Sequence, residues 1–220
     1  MYKTVLFDLD GTLTDSGLGI TNSAAYALKR YGITETDRKK LDRFVGPPLS
    51  DSFERFYGLS KKQSAEAIYV YREYYDTKGI FENEVYDGIP ELLAKLKADG
   101  KKILVATSKP EPYAIKIMEH FGLSKYFDYI AGANMDETRS DKQEIIMYAL
   151  SEVGVTDISS VIMVGDREYD IIGAKKVGAD SIGVTYGYGS RDELENAGAT
   201  FIAENPSDIY NIIKGGERKI

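Results

Sequence analysis

Six short apolar runs rich in β-branched residues constrain this chain more than any other feature. They lie at Thr4–Leu9, Lys102–Thr107, Tyr129–Ala131, Val161–Val164, Ser181–Thr185 and Thr200–Ala203. They are continuous rather than alternating, which suits strands buried on both faces, as in a parallel sheet covered by helices. Helical patterns with clear punctuation separate them. Pro90 to Asp99 opens on a proline and stops at Gly100, and Pro112 to Phe121 stops at Gly122. Asp141 to Val153 places an aspartate at the N-cap, Glu144 three places on and Gly154 at the stop. Strands alternating with helices of these lengths predict a doubly wound α/β domain, a Rossmann-like parallel sheet.

Residues 15–82 break the rhythm. They contain no convincing strand but helical segments at Gly19–Tyr31, Asp37–Arg43 and Ser60–Lys78, the last opened by a Ser60–Gln63 capping box. The expected organisation is an α/β core of residues 1–14 and 83–220 with a helical domain, 15–82, inserted after the first strand. Ala65, Ile68, Tyr69, Tyr71 and Tyr75 fall at helical spacing and read as a face packed within the insert. Gly17, Gly19 and the segment from Glu82 to Asp87 are hinge candidates, and the C-terminal "KGGERKI" reads as an inert frayed end.

Composition narrows the function by exclusion. The chain has 220 residues, 43% hydrophobic and 29% charged, with a formal net charge of -7, the balance of an ordinary globular protein. A nucleic-acid partner is not expected, because phosphate backbones need a basic face, and an anionic membrane is not expected either. The absence of cysteine rules out disulfides and thiolate metal sites. No run approaches the ~20 apolar residues of a membrane span, and the run at Val5–Phe7 is too short for a signal peptide, so a cytoplasmic location is expected.

In open α/β sheets ligands bind beyond the carboxyl ends of the strands, and there the polar residues collect. "VLFDLDGT" ends the first run in Asp8 and Asp10, followed by Gly11 and Thr12. The second ends in Thr107, Ser108 and Lys109. The fourth runs into Gly165 and Asp166, with Asp170 four residues on, and Lys142 stands in the first turn of the preceding helix. Asp8 and Asp10 share one side of an extended chain, and Asp166 and Asp170 share a face if the chain is helical there. Two such charges ~4 Å apart cost on the order of 4 kcal/mol at an effective dielectric of ~20. A divalent cation answers this, and an all-oxygen set favours Mg²⁺. Lys142 opposes the helix dipole unless a carboxylate or phosphate sits beside it. The lone histidine, His120, reads as structural near a helix end, and Gly187–Gly189 as a turn beside the site.

These residues resemble the motifs of the haloacid-dehalogenase-like hydrolases: D-x-D-G-T at Asp8–Thr12, a Thr after a hydrophobic strand at Thr107, a lysine at Lys142, and G-D-x-x-x-D at Gly165–Asp170. The insert after the first motif is similar to the helical cap of the phosphoglycolate phosphatase-like subgroup. "FVGPPL" at 44–49, "TSKP" at 107–110 and "YGYGS" at 186–190 are similar to phosphoglycolate phosphatases and bacterial 5′-nucleotidases. The resemblance implies a Mg²⁺-dependent phosphate monoester hydrolase, a monomer or homodimer, acting on a small phosphorylated metabolite such as 2-phosphoglycolate or a nucleoside 5′-monophosphate. It implies Asp8 as nucleophile and Asp10 as acid and base, with Thr107 and Lys142 catalytic beside them. Asp8, Asp10 (through its carbonyl), Asp166 and Asp170 are the implied metal set. Gly11, Thr12, Thr107, Ser108, Lys109 and Lys142 are expected around the phosphate. Arg43 and Gly46, with Pro47, are expected to face the substrate from the insert, which would close as a lid. An aspartate at position 10 points to phosphate ester rather than carbon–halogen chemistry, since a halide leaves without a proton. Two rivals stay open at this point: a phosphomutase of the same fold, and a regulatory protein that holds phosphate on Asp8 without turnover.

Overall fold

The computed structural model describes residues 1–136 and 138–215. The chain splits into two compact units, Met1–Leu13 with Val85–Ile220, and Thr14–Glu84. The first is α/β. Its strands are β1 Thr4–Phe7, β4 Lys102–Pro110, β5 Tyr129–Ala133, β6 Val161–Gly165, β7 Asp180–Val184 and β8 Phe201–Ala203; two short strands, β2 Thr14–Asp15 and β3 Glu84–Val85, pair with each other at the ends of the second unit. The six strands form one sheet in the order β5-β4-β1-β6-β7-β8, every pair parallel. The expected doubly wound sheet is what the chain builds, and five of the six expected strands lie within two residues of their expected ends. The exception is β4, which runs three residues past the expected Thr107. A register irregularity between Ala106 and Pro110 keeps it extended along β5 after β1 has ended.

All four residues of β1 are buried, with Val5, Leu6 and Phe7 fully so, as a central parallel strand requires. Leu6 joins Leu104, Ala131, Met163 and the inner residues of α6 (Lys142–Glu152) and α7 (Glu168–Val177) in one cluster. Val5 and Phe7 point to the opposite face by strand alternation. There α4 (Ile89–Ala98) packs against β4 and α9 (Pro206–Gly215), and α9 against β8. Helices α5 (Glu111–His120) and α8 (Arg191–Ala197) complete the unit. Lys214 and Gly215 close α9, so the expected fraying does not begin at Lys214; residues 216–220 lie outside the described residues.

Strand order reverses about β1, with β4 on one side and β6 on the other, so the crevice beyond β1 is the topological switch point of the sheet. Register sets what meets there. Phe7 pairs with Val105 and with Val164. Asp8 therefore follows β1 by one residue, while Thr107 and Asp166 each lie two residues beyond their register partner. The Asp8 N–H donates to the Val164 carbonyl at 2.9 Å, which pins the first carboxylate beside the end of β6.

The second unit contains α1 (Gly17–Lys29), a 3₁₀ segment Arg38–Phe44, α2 (Leu49–Tyr57) and α3 (Lys61–Tyr75). The Ser60–Gln63 capping box is present. Helix α2 is not anticipated from sequence, although Leu49, Phe53, Phe56 and Tyr57 fall at helical spacing, because the run is only nine residues long. The expected tyrosine face of α3 needs correction. Its buried side is Ser64, Ala67, Tyr71 and Tyr75, whereas Ala65 is exposed and Tyr69 is 71% exposed. Of the hinge candidates, Gly17 is the first residue of α1 and Gly19 lies in its first turn. A Cβ on Gly19 would collide with the Gly79 carbonyl, so that glycine serves close packing. Among the described residues no helix is long and apolar enough to cross a membrane.

Candidate active site

The carboxyl end of β1 delivers two carboxylates into two different electrostatic settings. Asp8, Asp166 and Asp170 are 4%, 0% and 1% exposed, and each offers an oxygen within 4.8 Å of the others. Asp166 lies ahead of α7 rather than within it, and Asp170 stands in the first turn, so the two are not stacked on a common helical face as the spacing suggests. They still converge. Asp170 folds back to accept the Arg167 N–H at 3.1 Å on one oxygen, leaving the other for the cluster. Asp166 accepts the Tyr188 N–H at 2.8 Å and the Thr12 hydroxyl at 3.3 Å. The hydroxyl of Thr12, expected near phosphate, is thus engaged with a carboxylate, and the Gly187–Gly189 turn lies against Asp166.

Lys142, the first residue of α6, is buried, with its ammonium 3.0 Å from Asp8 and 2.8 Å from Asp170 and donating to the Ala106 carbonyl at 3.0 Å. Two carboxylates thus answer its position against the helix dipole. The contacts are chiefly coulombic, since neither Asp8 Oδ1 nor Asp170 Oδ1 takes a well-directed hydrogen bond. The ammonium thus meets two of the three buried carboxylates, Asp8 and Asp170. Burial, then Asp170 and Asp8, push the Asp166 carboxyl well above its ordinary range. Burial also lifts Asp170, to about 6, against the pull of Lys142 and with the push of Asp8. For Lys142 burial acts downward, but Asp170 and Asp8 outweigh it and the ammonium is held more tightly than usual. The deficit of positive charge, the unbonded oxygens and the all-oxygen donor set fit a divalent cation.

Gly11 makes this convergence possible. Its φ is +81°, and a Cβ there would fall within the Asp166 carboxylate. The Asp10 carboxylate, whose carbonyl rather than side chain is the implied metal ligand, lies apart from the cluster. It is paired with Lys109, whose ammonium donates to its two oxygens at 2.9 and 2.7 Å, with side-chain exposures of 5% and 9%. Lys109, expected on phosphate, reaches Asp10 because the extension of β4 keeps Thr107 and Lys109 on one side of the strand. Thr107 is buried, its hydroxyl accepting the Lys109 N–H at 3.2 Å, and Ser108 is half-buried.

Arg43 and Gly46 belong to the helical unit. Arg43 is exposed, with its guanidinium 5.3 Å from the Phe56 ring centre, and Gly46 has a φ of 104°. His120 is exposed at the end of α5, edge-on to Phe121. Sequence reasoning missed Tyr186, whose hydroxyl donates to the Thr12 carbonyl at 2.9 Å and whose ring meets Tyr86 edge-on. Burial raises its hydroxyl's pKa. It ties the 186–190 turn to the first loop; the sequence signal was the YGYGS stretch, which gave the tyrosine itself no role.

A parallel α/β sheet whose switch point gathers three buried carboxylates around a lysine defines the class. The chain belongs to the haloacid dehalogenase-like hydrolases, whose family model matches residues 5–184. It is 46% identical over 193 residues to a 5′-nucleotidase of Pseudomonas aeruginosa, covering 88% of this chain and 87% of that protein. It is 39% identical over 200 residues to the tyrosine-protein kinase PtkA of Mycobacterium tuberculosis, covering 91% of this chain and 68% of that one. The crystal structure of a predicted phosphatase from Clostridium acetobutylicum superposes with a TM-score of 0.94 at 48% identity, covering 97% of this chain and 99% of the other.

Proposed function

We propose that the chain is a Mg²⁺-dependent phosphatase that cleaves small phosphate monoesters through an aspartyl-phosphate on Asp8. The observation that carries this reading is the buried cluster of Asp8, Asp166 and Asp170, two of which, Asp8 and Asp170, meet the Lys142 ammonium. Asp8, Asp166 and Asp170, with the Asp10 carbonyl, would hold the cation, which when bound offsets charge on the carboxylates and on the phosphate oxygens. An Asp8 oxygen attacks phosphorus while the ester P–O bond breaks, and Asp10 gives the leaving alkoxide its proton. Asp10 then takes a proton from water, whose oxygen attacks the phosphorus of the aspartyl-phosphate. Orthophosphate leaves and Asp8 is restored. Lys142 steadies Asp8 and the transferring oxygens, and the Thr107 hydroxyl is the nearby phosphate contact. The resemblance of the family and the names of its relatives support 2-phosphoglycolate and nucleoside 5′-monophosphates as the substrates to try first.

The test is orthophosphate release from these esters with Mg²⁺, with EDTA, and with Asp8→Asn. Brief turnover followed by mass spectrometry should show one phosphoryl group on the peptide containing Asp8. Turnover that survives Asp8→Asn overturns the nucleophile assignment, and turnover indifferent to EDTA overturns the metal.

A further inference from the structure

Buried carboxylates gathered at one point repel one another, so the backbone that carries them has to be gripped from outside the cluster. Asp166 and Asp170 flank the start of α7, where Arg167 is the N-cap and Glu168 the first helical residue. Glu193 reaches that start from α8. Its Oε1 accepts the Arg167 Nε–H at 2.8 Å and the Glu168 N–H at 3.0 Å. Glu193 is the third residue of α8, and its own N–H donates to the hydroxyl of the N-cap Ser190 at 3.1 Å. A glutamate at that position commonly turns back to cap its own helix. Here its oxygen caps the neighbouring helix, placing negative charge at the positive end of the α7 dipole.

The residues leading to Glu193 lie against the same loop. The Tyr188 N–H donates to Asp166 at 2.8 Å, and the Tyr186 hydroxyl to the Thr12 carbonyl at 2.9 Å. A Cβ on Gly187 would strike the Gly11 carbonyl and the Asp166 side chain, and one on Gly189 would strike the Asp166 carbonyl. Residues 186–193 thus fasten the peptide units on either side of Asp166 and the first turn that carries Asp170.

We infer that Glu193 is a positioning residue for the cation: its hold on Arg167 and Glu168 keeps Asp166 and Asp170 at the spacing Mg²⁺ requires, acting through the backbone between them rather than as a ligand. This rests on the metal reading given above and adds to it a residue outside the four motifs. Ligands fixed in advance spare binding the cost of ordering them.

The experiment titrates Mg²⁺ calorimetrically into the native chain, Glu193→Ala and Glu193→Gln, and measures kcat and KM for one turned-over ester at saturating Mg²⁺. Glu193→Ala should weaken Mg²⁺ binding about 10- to 100-fold, as losing an outer partner of metal ligands does. Its kcat should return to within about threefold of native once Mg²⁺ saturates, with KM for the ester unchanged. Glu193→Gln keeps an acceptor for both donors without the charge, so its Mg²⁺ affinity should stay within about threefold of native. Native affinity in Glu193→Ala overturns the inference even where the urea midpoint falls, since that is the result of a purely structural role. An equal loss in both variants also overturns it, because the charge and not the grip would then be responsible. Should Glu193→Ala fail to fold, Glu193→Asp keeps the charge but draws the oxygen back by one carbon and should weaken Mg²⁺ at least about threefold; native affinity there overturns the inference. A native chain that binds no Mg²⁺ sinks the metal reading together with this inference, whereas native binding with unaltered variants sinks this inference alone.

Discussion

Asp8 and Asp10 are two residues apart on one loop and equally buried, yet their surroundings differ in the quantity that decides chemistry. Around Asp8 three carboxylates cluster and two of them meet the Lys142 ammonium, while burial drives the carboxyl groups of Asp166 and Asp170 upward. Around Asp10 one carboxylate is held through both oxygens by the Lys109 ammonium. The first setting leaves carboxylate oxygens for a cation; in the second both oxygens already have one. Burial alone does not mark a functional carboxylate. The sum of charge within a few ångströms says which kind of function it serves.

The sharpest way to break this comparison is Asp8→Asn. The backbone and the Lys142 contacts to Asp170 and Ala106 survive in outline, but the attacking oxygen is gone. Phosphate release should fall by at least about a thousandfold, roughly 4 kcal/mol of barrier, with an unchanged far-ultraviolet circular dichroism spectrum. A loss of less than tenfold would remove Asp8 from the centre of the mechanism.

Next comes Lys142→Met, which removes the ammonium ion-paired to Asp8 and Asp170 and leaves buried carboxylates facing one another. Urea unfolding without metal should show a loss of about 3–5 kcal/mol, and added Mg²⁺ should recover part of it by binding the folded form. The same variant without a metal response would separate the cluster from cation binding.

The pH dependence sharpens the contrast without mutation. Asp166 and Asp170 hold protons more tightly folded than unfolded, so the folded chain carries the extra protons above the unfolded value near 4. The sign follows: stability without metal declines as pH rises through about 6, the value for Asp170, and on through the higher value of Asp166. In EDTA the urea midpoint should therefore be lower at about pH 7.5 than at about pH 5.5, and Mg²⁺ should shrink the difference because it binds the deprotonated cluster. Equal slopes with and without Mg²⁺ would count against the cluster as the metal site.

The smallest effect belongs to the helical unit. Arg43 is exposed and touches the Phe56 ring, so Arg43→Ala should cost under about 1 kcal/mol in unfolding. Its effect on kcat/KM then measures directly whether the side chain meets substrate, since stability will not obscure it.

Much of this was legible in the amino-acid sequence, for reasons that can be named. Continuous apolar runs allow few arrangements other than a parallel sheet buried on both faces, and the order of motifs places Asp8 and Asp166 just past strand ends, while Thr107 lies within the longer β4. Ser60 and Gln63 announce the start of α3 because a capping box needs only neighbours in sequence. Helix α2 escaped because its apolar spacing, Leu49, Phe53, Phe56 and Tyr57, spans only nine residues, and the buried face of α3 was misread because Tyr69 looks apolar by type but stands in solvent.

By itself, then, the chain's sequence determined the sheet, the crevice and the kinds of group gathered there, since those follow from burial patterns and local spacing. Only the tertiary structure decided which charge answers which. Lys109 stands near the end of β4 and Lys142 at the start of α6, and neither position says which carboxylate the ammonium will meet. Asp10 and Lys109 are 99 residues apart, and they pair because strand register and the irregularity in β4 bring them within 2.7 Å. Electrostatic partnership depends on distance in space, and that distance is set by packing.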